Sequence, residues 1–187
     1  MHRLLCATLL ATGLSAPAMA DPFVDALETA IEAYLDGDLQ YAEDELVEAQ
    51  RLLAGMKADG LAAFLPEAPD GWEREVSTDS AQMLGFLGGG TSASATYQGP
   101  DGQFELSFIA ENPMVAQLGM LLGNATMISQ MGGQVERINR VRFLREDRTL
   151  RAIVGNRVLV QAEGADPDVM IPFLEEIDYR AMENFGG

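Results

Sequence analysis

The first twenty residues decide which side chains the folded protein is left with. Met1-His2-Arg3 leads into a run from Leu4 to Ser15 whose clearest polar interruptions are Thr8 and Thr12, and Ala16-Pro17-Ala18-Met19-Ala20 then precedes Asp21. A short basic start, an apolar stretch of roughly 12 residues and an Ala-x-Ala end are the three parts of a secretory signal. The expectation is cleavage after Ala20 and a periplasmic or secreted protein. The run is too short for a membrane anchor, which needs ~20 apolar residues, and Cys6 lies inside it without a lipobox. Cleavage removes the only cysteine and the only histidine. No disulfide can then form even in an oxidising compartment, so the fold must rest on an ordinary apolar core.

The remaining chain holds 11 basic and 29 acidic residues. That balance argues against nucleic acid and anionic membrane as partners, since both require basic surface to displace counterions. No later segment is long enough to span a membrane, and roughly 167 residues suffice for one core plus a small appendage. Charge is unevenly placed. Residues 21–75 carry 15 acidic and 3 basic side chains, 76–135 carry 4 and none, 136–163 carry 4 and 7, and 164–187 carry 6 and 1.

Periodicity divides the chain further. Phe23, Ala26, Leu27, Ala30, Ile31, Tyr34 and Leu35 recur at three and four, one helix face, with Asp21 as N-cap, Pro22 at the first helical position and Gly37 as C-terminal stop. A second helix is expected from Leu39 to about Phe64, with Ala42, Leu46, Ala49, Leu52, Leu53 and Met56 on one face. Pro66, Pro69 and Asp70-Gly71 mark a linker. Met83, Leu84, Phe86 and Leu87 before Gly88-Gly89-Gly90 read as an apolar loop. Two strands follow, 91–97 and 103–110, then a helix from Met114 to about Met131, three strands over 135–145, 148–154 and 157–163, and a helix from Asp168 to about Glu183. The organisation predicted is a signal peptide (1–20), a helical hairpin (21–65), a linker (66–75) and an α+β domain (76–187), its antiparallel sheet covered by helices on one face.

Gly37-Asp38-Leu39 with Ala42, Leu46 and Ala49 resembles the turn and second helix of one tetratricopeptide repeat. It covers about 35 residues, lacks the first-helix Trp and Leu-Gly signature, and occurs once, where a solenoid needs roughly three units. The Pro-Gly-Trp entry, strand pair, helix and meander are similar in outline to the PsbP/Mog1 layout, a likeness that implies no function. The whole resembles uncharacterised exported proteins of Gram-negative bacteria.

Without histidine or cysteine the mature chain cannot run Ser-His-Asp or Cys-His catalysis or hold a histidine- or thiolate-based zinc. Lys57, the one lysine, lies on the acidic second helix, and the acids there form a solvated face rather than a catalytic pair. Gly88-Gly89-Gly90-Thr91-Ser92 lacks a P-loop lysine. The reading is non-enzymatic, with no cofactor and no metal. Met114, Met120, Met127 and Met131 fall along one predicted helix. Thioethers suit Cu(I), but only Met127 and Met131 stand one turn apart, and adaptable packing is the commoner use of methionine. Met120, Met127 and Met131 are the candidate lining of an apolar-ligand pocket. Arg137, Arg140, Arg142, Arg145, Arg148, Arg151 and Arg157 are the sharpest contrast in the chain. As one strand, 135–145 would put Arg140 and Arg142 on one face and Arg137 and Arg145 on the other. They either pair with acids of the same molecule or form an anion or partner site. Arg140 and Arg142 are the candidate partner-binding residues. The functional expectation is a protein- or peptide-binding module; the alternatives are an apolar-ligand carrier and a carboxylate-pair hydrolase.

Overall fold

A computed structural model describes residues 21–78, 89–122 and 134–186, with the side chains of 120–122 excepted. The signal peptide, the apolar loop at 83–87 and residues 127 and 131 lie outside the described residues. Helices α1 (Pro22–Asp36) and α2 (Leu39–Ala62) are followed by strands β1 (Glu73–Ser77), β2 (Thr91–Gly99) and β3 (Gly102–Ala110), helix α3 (Pro113–Leu122), strands β4 (Gln134–Ile138), β5 (Val141–Glu146), β6 (Thr149–Val154) and β7 (Val158–Glu163), and helices α4 (Pro167–Glu175) and α5 (Tyr179–Met182). The class is α+β, an N-terminal helical pair and a seven-stranded antiparallel sheet. Among the described residues no helix is long and apolar enough to cross a membrane.

Two compact units divide the chain, one up to Ala49 and one from Gln50 onward. In the first, the helix ends are set as the sequence predicts. The Asp21 carboxylate accepts from the Phe23 N–H at 3.0 Å, and Gly37, at φ +82°, donates to the Ala33 and Tyr34 carbonyls. Asp38 then accepts from the Tyr41 N–H at 3.1 Å. The apolar face is narrower than its periodicity suggests. Ala26, Ala30, Ala33, Ala42 and Ala49 are buried, whereas Ile31, Tyr34, Leu35 and Leu46 stand exposed. Burial falls on the alanines, and larger apolar side chains of the same helices are left in solvent.

The second unit is built on the sheet, in the order β1-β2-β3-β7-β6-β5-β4. Alternation sends Ala93, Ala95 and Tyr97 of β2, Phe104, Leu106 and Phe108 of β3, and Leu150, Ala152 and Val154 of β6 to one face, where all are buried. Met170, Phe173 and Leu174 of α4, Tyr179 and Met182 of α5 and Leu61 near the end of α2 close that face. At its centre Tyr97 stacks on Phe104 with centroids 5.0 Å apart, and Phe173 meets both edge-on at 4.8 and 4.9 Å. Trp72 lies 5.0 Å from Phe173, and its ring occupies the space that a side chain at Gly99 would need. α3 approaches the other face, where Gly119 comes against Ile153.

Three elements differ from the sequence expectation. A strand, β1, begins at Glu73 within the predicted linker, and the residues before it are pinned. The Tyr97 hydroxyl donates to the Pro66 carbonyl at 2.6 Å, and Arg74 donates to the carbonyls of Leu65 and Pro66 and to Glu67. The predicted strand 135–145 is two strands joined at Asn139-Arg140, with Arg137 paired across from Arg142. The last helix is two, because Asp178 leaves the helical region and caps the second through the Ala181 N–H at 3.0 Å.

Candidate functional site

Two surfaces bring together side chains that the fold itself does not use. The first is the outer side of the hairpin. At about 100° per residue, Val24, Ile31 and Leu35 fall within about 40° of one another, opposite Ala26, Ala30 and Ala33. Ile31 is 60% and Leu35 76% exposed, against 4% for Ala30. Beside the stripe run Asp25, Glu28, Glu32 and Asp36. Residues 21–49 hold ten acidic side chains and no basic one.

The second surface is the corner of the sheet at the β4–β5 turn. Asn139 and Arg140 have φ +47° and +70°, the pair of left-handed residues a two-residue hairpin turn requires. Asn tolerates that region. Arginine stands where glycine is usual, at a strain of ~1–2 kcal/mol. Asn139 secures the turn by donating to the Glu175 carbonyl at 2.5 Å. The reversal also corrects the placement of the arginines. Arg137 and Arg142 are register partners and share a face. Arg145 emerges on the other, where it pairs with Asp168 at 2.9 Å and Glu136 at 3.7 Å, and Arg140 sits in the turn.

The arginines accordingly fall into two groups. Arg145 and Arg151 are ion-paired, Arg148 donates to the Gly164 carbonyl, and Arg157 donates to Gly186 at 3.1 Å. Among the described residues, Arg137, Arg140, Arg142 and Arg180 have neither an ion pair nor a side-chain hydrogen bond. Arg140 lines two adjoining clefts. One, of about 600 Å³, lies between the turn and α5, with Arg180, Asp178 and Tyr179 on its walls. The other, of about 240 Å³, is lined by Arg142, Ile153, Gly155, Asn156 and Gly119. Glu183 borders both.

Lys57 is occupied. Its ammonium donates to both Glu111 oxygens, at 3.1 and 2.9 Å, and the Thr91 hydroxyl adds a third donor at 3.3 Å. The lysine hydrogen bond, with its charge, holds Glu111 below the usual glutamate range against a smaller opposing effect of burial. This clasp joins α2 to the end of β3. Tyr97 and Tyr179 are pushed up by burial, Tyr97 to about 12 against the opposing Arg74 charge.

Of the sequence candidates, Arg140 and Arg142 meet in the smaller cleft. Met120 belongs to the α3 backbone, while Met127 and Met131 lie outside the described residues. Among the described residues no aspartate or glutamate is buried, and no cluster of acids could hold a metal ion. Sequence reasoning missed Arg180 and Asn156. Asn156, at φ +56° beside Gly155, carried a turn signal, whereas an isolated arginine on an acidic helix carried none. No protein-family model, curated protein or solved structure matches the chain.

Proposed function

We propose that the protein is a non-catalytic, exported binding module whose helical hairpin docks a protein or peptide. The observation that carries this reading is the inversion of α1, with Ala26, Ala30 and Ala33 buried and Val24, Ile31 and Leu35 in solvent. Fully burying one exposed side chain of this kind is worth ~1.5–3 kcal/mol, so covering the part of Val24, Ile31 and Leu35 that remains in solvent is worth about 3–5 kcal/mol. Ten acids without a base disfavour pairing with a second copy of the same hairpin, because like charges would face each other. The partner expected is apolar at its centre and basic at its rim. Arg140 and Arg142 belong to the other compact unit, and the hairpin's binding does not depend on them.

The test is crosslinking of the tagged protein in native periplasm, comparing wild type with Ile31→Ser/Leu35→Ser and with Arg140→Glu/Arg142→Glu. Both hairpin positions are already exposed, so the free variant keeps its stability within about 0.5 kcal/mol. One dominant partner, lost in the hairpin variant and kept in the arginine variant, is the expected result. A partner captured equally by wild type and the hairpin variant, or no partner at all, overturns the reading.

A further inference from the structure

The arginine corner is locally unfavourable in two independent ways, and both put positive charge in one place. Arg140 takes a left-handed position that glycine would fill without strain. Arg137 and Arg142 are set directly opposite each other, where like charges repel. The chain has 29 acidic residues available, yet none of them is an ion-pair partner of these three among the described residues. The corner is also built to leave room. Gly119 and Gly155 contribute no side chain to the smaller cleft. A Cβ on Gly155 would lie 3.2 Å from the Glu183 backbone, so the β6–β7 turn backs tightly onto the end of α5.

We propose that this cleft of about 240 Å³ binds a small oxyanion, a phosphate or a carboxylate. Arg140 and Arg142 present guanidinium forks whose planar donors match such a group. Glu183 at the rim offsets one of the two charges, which leaves the lining suited to a single anionic group rather than a polyanion. The volume admits a free anion or the tip of an acidic side chain. All of these residues lie in the unit from Gln50 onward, so the proposal stands whether or not the hairpin binds a partner.

The experiment is a backbone amide titration of the purified protein, read at Gly155 and Asn156. The probes are inorganic phosphate, succinate and an Asp/Glu-rich peptide. Arg142→Ala and Arg140→Gly are the variants. A saturable shift with phosphate or succinate, weakened about tenfold or more in both variants, establishes a free-anion site. The same behaviour with the peptide alone establishes the carboxylate chemistry with a protein-borne source. Arg140→Gly should raise Tm by about 2–8 °C as the turn strain is released, which separates lost binding from lost folding. No saturable shift with any probe up to ~10 mM, or equal affinity in both variants and wild type, overturns the proposal.

Discussion

Truncating Phe173 to alanine tests the centre of the fold. Its ring is 5% exposed and has three aromatic neighbours, Tyr97 at 4.8 Å, Phe104 at 4.9 Å and Trp72 at 5.0 Å. Losing the buried ring and leaving a cavity among three rigid side chains costs ~3–5 kcal/mol. Native stability for a domain is only ~5–15 kcal/mol. For a chain of this length the loss corresponds to a fall in Tm of about 6–20 °C. Urea unfolding followed by far-ultraviolet circular dichroism should show a lower midpoint with an unchanged slope. Trp72 is the single tryptophan, so its emission reports on the same cluster and should shift to longer wavelength before any denaturant is added. Phe173→Leu, which keeps most of the volume, should lose less than half as much. A loss below ~1 kcal/mol for the alanine variant, or Trp72 emission unchanged in it, would refute the described packing.

Three further outcomes follow from the same geometry. Gly99→Ala should destabilise by ~1–3 kcal/mol, because the new methyl group runs into Trp72; Gly102→Ala, with open space around it but φ +130°, separates backbone strain from collision in the same chemical melts. Glu111 is depressed by Lys57, so its contribution is complete above 4.5, the ordinary glutamate value, and is lost as pH falls through the lower folded value. The pair is more than a third exposed on the lysine side and is worth no more than ~1 kcal/mol; Glu111→Gln should remove that part of the acid dependence, and an unchanged acid profile would argue against the clasp. At alkaline pH the buried Tyr97 favours its neutral form in the folded state, so its stabilisation is intact below 10.0 and declines as pH rises toward about 12; tyrosinate absorbance should accordingly show a fraction of the signal appearing together with unfolding.

The sequence was most legible where a local chemical rule acts alone. The Asp21 cap, the Gly37 stop and the break into Asp38 needed no knowledge of the rest of the chain. The alternation of Phe104, Leu106 and Phe108 likewise declared a half-buried strand. Legibility failed where two residues compete for one conformation. Ile138-Asn139-Arg140-Val141 has the asparagine of a tight turn but an arginine in the glycine position, so it read as continuous strand, and the faces of Arg137, Arg142 and Arg145 were misplaced with it. It failed again in α1. The three-and-four spacing of apolar residues is the same whether they face a core or solvent, and only the tertiary arrangement shows that the alanines are the buried ones.

That choice of alanine has an energetic meaning. Each buried methyl contributes roughly 0.8 kcal/mol, so the five buried alanines together contribute much less than five buried leucines would. A helix of the length of α1 is marginal in isolation, and its buried alanines offer little to compensate for ordering it. The large side chains that could have stabilised the pair from within, Val24, Ile31 and Leu35, are instead held on the outside of α1. Their burial energy remains unspent in the free protein and is available to whatever covers them. The same logic holds at the other surface, where Arg140 accepts backbone strain and Arg142 a like-charged neighbour, and among the described residues no ion pair offsets either. In both places the local sequence departs from the most stable choice in the direction that leaves side chains exposed, apolar in one case and cationic in the other.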